Sequence, residues 1–222
     1  MVLDTVEIKK GSAENTAIDH LTNKGSLIEA VIATHPFHTL YFAPFNELYP
    51  GLTYYGTPRH LRNITSISWA GDLQEEAVRS KWENEGVFLR IPAGADFVNP
   101  PENNHFIGVF VFHAASKTIF IDDTLCYWSN LSWFATWFLK NNTLDFHLTT
   151  FRNGLYPTPE APLEFLAWIR QLLVDWDFEN ICTAHTGNVL GSGKAQLSIL
   201  VEASASKFQH LSEKNKKLAA GK

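Results

Sequence analysis

Cysteine is nearly absent from this chain: Cys126 and Cys182 are the only two in 222 residues. With no CxxC pair and no Cys–His ribbon spacing, a disulfide scaffold and a zinc-ribbon module are excluded. The two thiols read as free and buried in a reducing compartment, the cytoplasm. Long apolar runs are missing too. No stretch reaches about 18 residues, the length needed to span a membrane. The opening MVLDTVEIKKGS has too short an apolar part, interrupted by charge, to act as a signal peptide. A strong charge of one sign is also lacking. The net charge of −5 offers no basic footprint for nucleic acid or an anionic membrane. The one basic cluster, Lys214, Lys216, Lys217 and Lys222, reads as a solvated helix end. No repeat of solenoid period exists.

What is present is apolar and aromatic. Hydrophobic residues make up 45% of the chain, with seven Trp and sixteen Phe, enough for one domain over residues 1–222 with a sizeable core. The chain is organised around residues 28–60. Ile28 to Ile32 is a β-branched run that reads as a buried strand, ended near His35 because Pro36 cannot continue a central strand. His35 and His38 therefore sit at the carboxyl end of a buried strand, where open α/β sheets place their chemistry. Thr39 is expected to cap a helix through Leu48, stopped by Pro50 and Gly51.

The remaining pattern alternates strands and helices. Val2 to Val6 reads as a strand, and Asn15 to Asn23 as a short helix stopped at Gly25, an order that implies parallel pairing. Strands are expected at Leu52–Tyr55, Val87–Ile91, Phe106–Phe112, Thr118–Ile121 and around Ile181–Cys182. Ala114 to Lys117 turns a hairpin, and Pro92 to Asn104 is a loop. Helices are expected at Leu73–Asn84 (ended by Gly86), Leu131–Leu139, Pro162–Trp176 and Ala195–Leu218. The 131–139 helix is apolar nearly all round, which implies deep burial or a covered partner face. The glycines of GNVLGSGK, residues 187–194, are out of register for a phosphate loop, and Ala195 stands where Ser or Thr is required.

Three segments resemble the metallo-β-lactamase superfamily. There a buried strand ends in T-H-x-H-x-D-H. Thr34 and His35 match its opening, whereas Phe37, Thr39 and Leu40 stand at the second histidine, the aspartate and the last histidine. His38 is one residue late for the second histidine, unless the turn carries one extra residue. The second segment is His105-Phe106-Ile107-Gly108 with Asp122-Asp123-Thr124-Leu125, which resembles H-x-x-G followed by G-D-T-L. The third is the strand ending in His185 ahead of Gly187, similar to the family's last metal ligand. Leu3-Asp4-Thr5 is similar to the aspartate-containing turn after the family's corresponding strand.

This resemblance implies an αββα four-layer sandwich, an α/β (α+β) fold, N-terminally short, that gathers these strand ends at one edge. It implies a metal-dependent hydrolase, in which metal-bound water attacks an ester, amide, thioester or phosphoester. The implied ligands are His35, His38, His105, Asp123 and His185, with Asp123 also catalytic. The implied ion is zinc, or another divalent metal such as manganese or iron, with one ion expected rather than two because Thr39 and Leu40 supply no strong ligand. Asp122 is a ligand in place of Asp123 or a partner orienting a histidine.

Arg59 and His60 are expected at a small-molecule substrate, Arg59 meeting an anionic group. The bland alternative for both is a helix N-terminus opened by Pro58. His113 lies at the hairpin turn and reads as structural. Two other functions fit the same residues: a degenerate binding or scaffold protein without metal, and a mononuclear iron oxidoreductase. The short first sheet is expected to expose an edge, which a homodimer would bury.

Overall fold

The computed structural model describes residues 1–95, 97–98, 108–129, 133, 137 and 142–221. The chain forms two compact units, one of residues 1–79 with the described part of 97–99, the other of the described residues from 80 onward.

The first unit is built on a four-stranded, all-parallel sheet in chain order: β1 (Val2–Leu3), β2 (Val31–Ile32), β3 (Tyr54–Gly56) and β4 (Trp69–Asp72). Val31, Ile32 and Ala33 are wholly buried, as the apolar run predicts for a strand covered on both faces. Helices α1 (Ala13–Thr22), α2 (Phe42–Leu48), α3 (Pro58–Asn63) and α4 (Glu76–Arg79) complete the unit. Its core joins Ile28, Val31, Phe42, Phe45, Tyr54 and Ile64. Because the strands are parallel, the chain leaves β1, β2 and β3 at one edge of the sheet. Asp4, His35 and Thr57 stand at that edge.

The second unit holds a mixed sheet ordered β10-β7-β6-β5, made of β5 (Val87–Arg90), β6 (Phe110–His113), β7 (Thr118–Phe120) and β10 (Asn180–Cys182). The 114–117 hairpin makes β6 antiparallel to β7, while β10 runs parallel to β7. A separate antiparallel pair, β8 (Leu125–Trp128) and β9 (Thr143–Phe146), adds a second small sheet. Helices α5 (Ala161–Asp175) and α6 (Gly193–Ala220) pack together and are tied by Arg170, which grips Glu202 through two nitrogens at 2.9 and 2.6 Å. Phe165 of α5 and Phe208 of α6 join Phe146 and Phe151 in an aromatic cluster, with ring centroids 4.9–6.1 Å apart.

Several elements differ from the sequence pattern. Thr39 does not cap α2, which starts at Phe42 with Tyr41 before it and no side-chain cap. Pro44 gives the reason: it lacks an N–H and is tolerated only in a first turn, so the helix begins late enough to place it there. Asn23 in the left-handed region, not Gly25, ends α1. The helix expected over 73–84 breaks into α4 and a 3₁₀ turn, Ser80–Glu85, that buries Trp82. The strand β8 begins two residues after Asp123, where the pattern shows only a strand end. Of the 131–139 stretch, Trp133 and Trp137 are described and are exposed, so neither belongs to the core. The rest of that helix and His105 lie outside the described residues.

Candidate functional site

In the first unit the site is assembled from the carboxyl ends of three parallel strands. After β2, Thr34 and His35 are both fully buried. The chain then turns at Pro36 and Phe37, closed by the His38 N–H donating to the His35 carbonyl at 3.0 Å. This turn carries His38, one residue later than the second histidine of the motif. It folds the His38 ring back on the His35 ring, with centroids 4.3 Å apart and planes 30° from parallel. The Phe37 N–H donates to His35 Nδ1 at 3.2 Å.

After β1, Asp4 takes the left-handed conformation, which aspartate tolerates better than most residues. Its carboxylate accepts from Thr34 N at 2.8 Å and from Thr34 Oγ1 at 2.5 Å. Its Oδ2 also lies 3.6 Å from His38 Nδ1, within ion-pair reach. A carboxylate behind an imidazole fixes the ring and its tautomer, the arrangement that supports histidines at metal sites. Asp4 is thus a site residue absent from the ligands and substrate contacts expected from the sequence. Its sequence signals were its place at the end of a short strand and the similarity of Leu3-Asp4-Thr5 to the family's aspartate-containing turn.

After β3, Thr57 opens α3 and His60 closes a capping box with it. His60 is fully buried, its ring set against Phe42 and Trp69 at 5.2 and 5.6 Å. Both ring nitrogens are engaged: Nδ1 with Thr57 Oγ1 at 2.8 Å, Nε2 with the His38 carbonyl at 3.0 Å. Burial pushes its pKa down to about 4, so the ring is neutral at neutral pH. The expected contact of His60 with substrate is corrected here, because a sealed ring with both nitrogens occupied has none to offer. Arg59 lies with its guanidinium 4.3 Å over the Phe37 ring. The Pro58-led helix N-terminus is the local setting of both residues.

In the second unit the parallel pairing of β7 with β10 sets the carboxyl ends of the two strands side by side. Asp122 is fully buried, whereas Asp123 is partly exposed, with its Oδ1 3.3 Å from His185 Nε2. The His185 turn is pinned by its neighbours. Thr186 Oγ1 accepts from Tyr127 N at 2.8 Å and meets Thr183 Oγ1 at 2.7 Å, and Gly187 N donates to the Tyr127 carbonyl at 2.7 Å. A Cβ at Gly187 would stand 2.5 Å from Ser129 Oγ, a hydroxyl that can turn away, and 3.2 Å from the Tyr127 carbonyl oxygen, so the space there is tight for a side chain. Cys126, next to this pair on β8, has its pKa raised to about 11 by burial and by the charges of Asp123 and Asp145, which keeps it a thiol. His113 donates to or accepts from Ser116 at the hairpin, as a structural residue does.

The sequence matches no family model, and no curated protein matches it. Solved structures do match. The metallo-β-lactamase from Hirschia baltica superposes with a TM-score of 0.51 at 13% identity, over 95% of this chain and 79% of that one. The metallo-β-lactamase from Erythrobacter litoralis with beta mercaptoethanol in its active site gives 0.53 at 12% identity, over 90% and 79%. The mono-zinc form of the metallo-β-lactamase FIM-1 from Pseudomonas aeruginosa gives 0.52 at 12%, over 96% and 77%. This mixed α/β chain has the metallo-β-lactamase fold, as the three resembling segments imply.

Proposed function

We propose that the chain is a metal-dependent hydrolase acting on an ester, amide, thioester or phosphoester of a small molecule. The observation that carries this reading is the turn that stacks His38 on His35 with the Asp4 carboxylate behind it. Imidazoles backed by a carboxylate fit a borderline divalent ion, zinc first and manganese or iron next. By the resemblance, His35, His38, Asp123 and His185 are the ligands this reading assigns. His105 belongs to the same set by resemblance. A bound ion lowers the pKa of its water towards neutrality and polarises the substrate's carbonyl or phosphoryl oxygen. The chain's own groups then have separate tasks. Asp4 orients His38, His185 orients the candidate catalytic carboxylate of Asp123, and Arg59 offers its charge to an anionic substrate group. Two free cysteines suit a cytoplasmic setting, and among the described residues no helix is long and apolar enough to cross a membrane. The same reading keeps a homodimer paired along the β1 edge.

The test is hydrolysis of one representative of each substrate class, before and after chelation. Activity that is lost on chelation and restored by zinc supports the reading; activity that survives chelation sinks it.

One observation favours a second reading, a non-catalytic binding or scaffold protein on the same fold. With His35 Nδ1 accepting from the Phe37 N–H, the neutral ring carries its proton on Nε2, a hydrogen-bond donor in place of a ligand. Thr39 and Leu40 add nothing to a metal, and Leu40 is exposed. A His35 ring that remains protonated on Nε2 in the presence of zinc, read by nitrogen-15 shifts, supports this second reading.

A further inference from the structure

We propose that His60 is a positioning residue for His38: its buried imidazole donates from Nε2 to the His38 carbonyl and fixes the turn carrying both stacked histidines. The inference rests on the metal reading only in taking His38 as a ligand.

The partners decide the tautomer. A backbone N–H can only donate, and Thr57 N lies 3.3 Å from His60 Nδ1. Nδ1 is therefore an acceptor, and the proton of the neutral ring sits on Nε2. A carbonyl can only accept, so the 3.0 Å contact with His38 runs from His60 to His38.

The ring has little freedom to leave. The Phe42 ring stands T-shaped to it at 71°, the Trp69 ring lies tilted against it at 5.6 Å, and Thr57 Oγ1 holds Nδ1 at 2.8 Å. Gly56 makes the room: a Cβ there would stand 2.9 Å from His60 Cβ and 2.7 Å from the Trp69 ring.

The grip matters because of the turn it holds. The 35–38 turn passes through Pro36, which has no N–H to anchor it. Its own closing bond joins His38 N to the His35 carbonyl. His60 adds a hold on the other side of the His38 peptide, from a helix that a parallel strand positions. A ligand turn fixed before the ion arrives spends less binding energy on ordering.

The first measurement uses the wild-type protein, labelled with carbon-13 and nitrogen-15. A slowly exchanging His60 proton on Nε2, coupled through the hydrogen bond to the His38 carbonyl, is expected; an Nδ1-protonated ring overturns the proposal whether or not any variant folds. Variants then test the consequence. His60→Phe keeps a ring but donates nothing, and His60→Gln keeps a donor. In metal-free His60→Phe the His38 ring signals should shift while those of His113 stay in place. Its zinc affinity, by calorimetric titration, should fall by about tenfold or more, and His60→Gln should recover most of that loss. Unmoved His38 signals, or a Gln variant no better than Phe, overturn the proposal. If the wild type itself binds no zinc, the metal reading fails, and the His38 signals still decide the role of His60.

Discussion

The Asp4 carboxylate takes both donors of Thr34, the backbone N–H at 2.8 Å and the hydroxyl at 2.5 Å, so it spans from the end of β1 to the end of β2. Each charged hydrogen bond of this kind contributes roughly 1.5–3 kcal/mol. Asp4→Ala should therefore unfold at lower urea concentration and lower zinc affinity by about 10- to 100-fold, because His38 loses its carboxylate partner. Asp4→Asn keeps the left-handed backbone and an acceptor oxygen, and should be the milder change in stability. Unchanged zinc binding in both variants would remove Asp4 from the site.

Stability should depend on pH through His60. Burial lowers its pKa from 6.5 to about 4, so between those values the unfolded chain binds the proton and the folded chain does not. The contribution is fully present above pH 6.5, is lost as pH falls towards 4, and levels off below. Its size is roughly 3 kcal/mol. Urea midpoints of wild type and His60→Gln across this range should converge as the pH falls. Parallel curves would contradict the buried neutral ring.

Asp122 and Asp123 should separate by readout. Asp123 faces His185 and is partly exposed, whereas Asp122 is fully buried. Asp123→Ala should lose more zinc affinity, and Asp122→Ala more stability, by about 1–3 kcal/mol. A larger zinc loss from Asp122→Ala would shift the ligand register by one residue.

Gly56→Ala forces a methyl against the Trp69 ring and His60 Cβ, with contacts of 2.7 and 2.9 Å that must relax. Overpacking of this kind costs about 1–3 kcal/mol. Thermal unfolding should show it, and His38 signals should move with His60. A variant as stable as wild type would mean the ring has more room than the packing shows.

The proposed homodimer is tested by light scattering at micromolar concentration. β1 is an edge strand, with two residues paired to β2. A mass of two chains is expected, and one of 25.0 kDa across dilution contradicts it.

Much of the frame was legible because local patterns decide it. The Ile28–Ile32 run, Pro36 as its stop, the 114–117 hairpin, and helices α5 and α6 come from periodicity and breakers. The late start of α2 was legible too, in Pro44, but Thr39 offered a competing cap. The site was legible as a set of strand ends and not as contacts. Asp4 and Thr34 are 30 residues apart in sequence, and their bond exists only once β1 pairs with β2. The motif departs from the family's spacing at His38, and the contact of its ring with His35 exists only once the turn is folded. For His60 the sequence left two readings open, and the helix N-terminus opened by Pro58 is the setting the structure shows, with Phe42 and Trp69 against the ring.

The most direct measurement of the central claim is the metal content of the protein purified without chelator, by elemental mass spectrometry, alongside His38→Ala and Asp123→Ala. A stoichiometric divalent ion in the wild type that falls away in both variants is the predicted result. A wild-type protein free of divalent metal, and unable to take up zinc on titration, would contradict it.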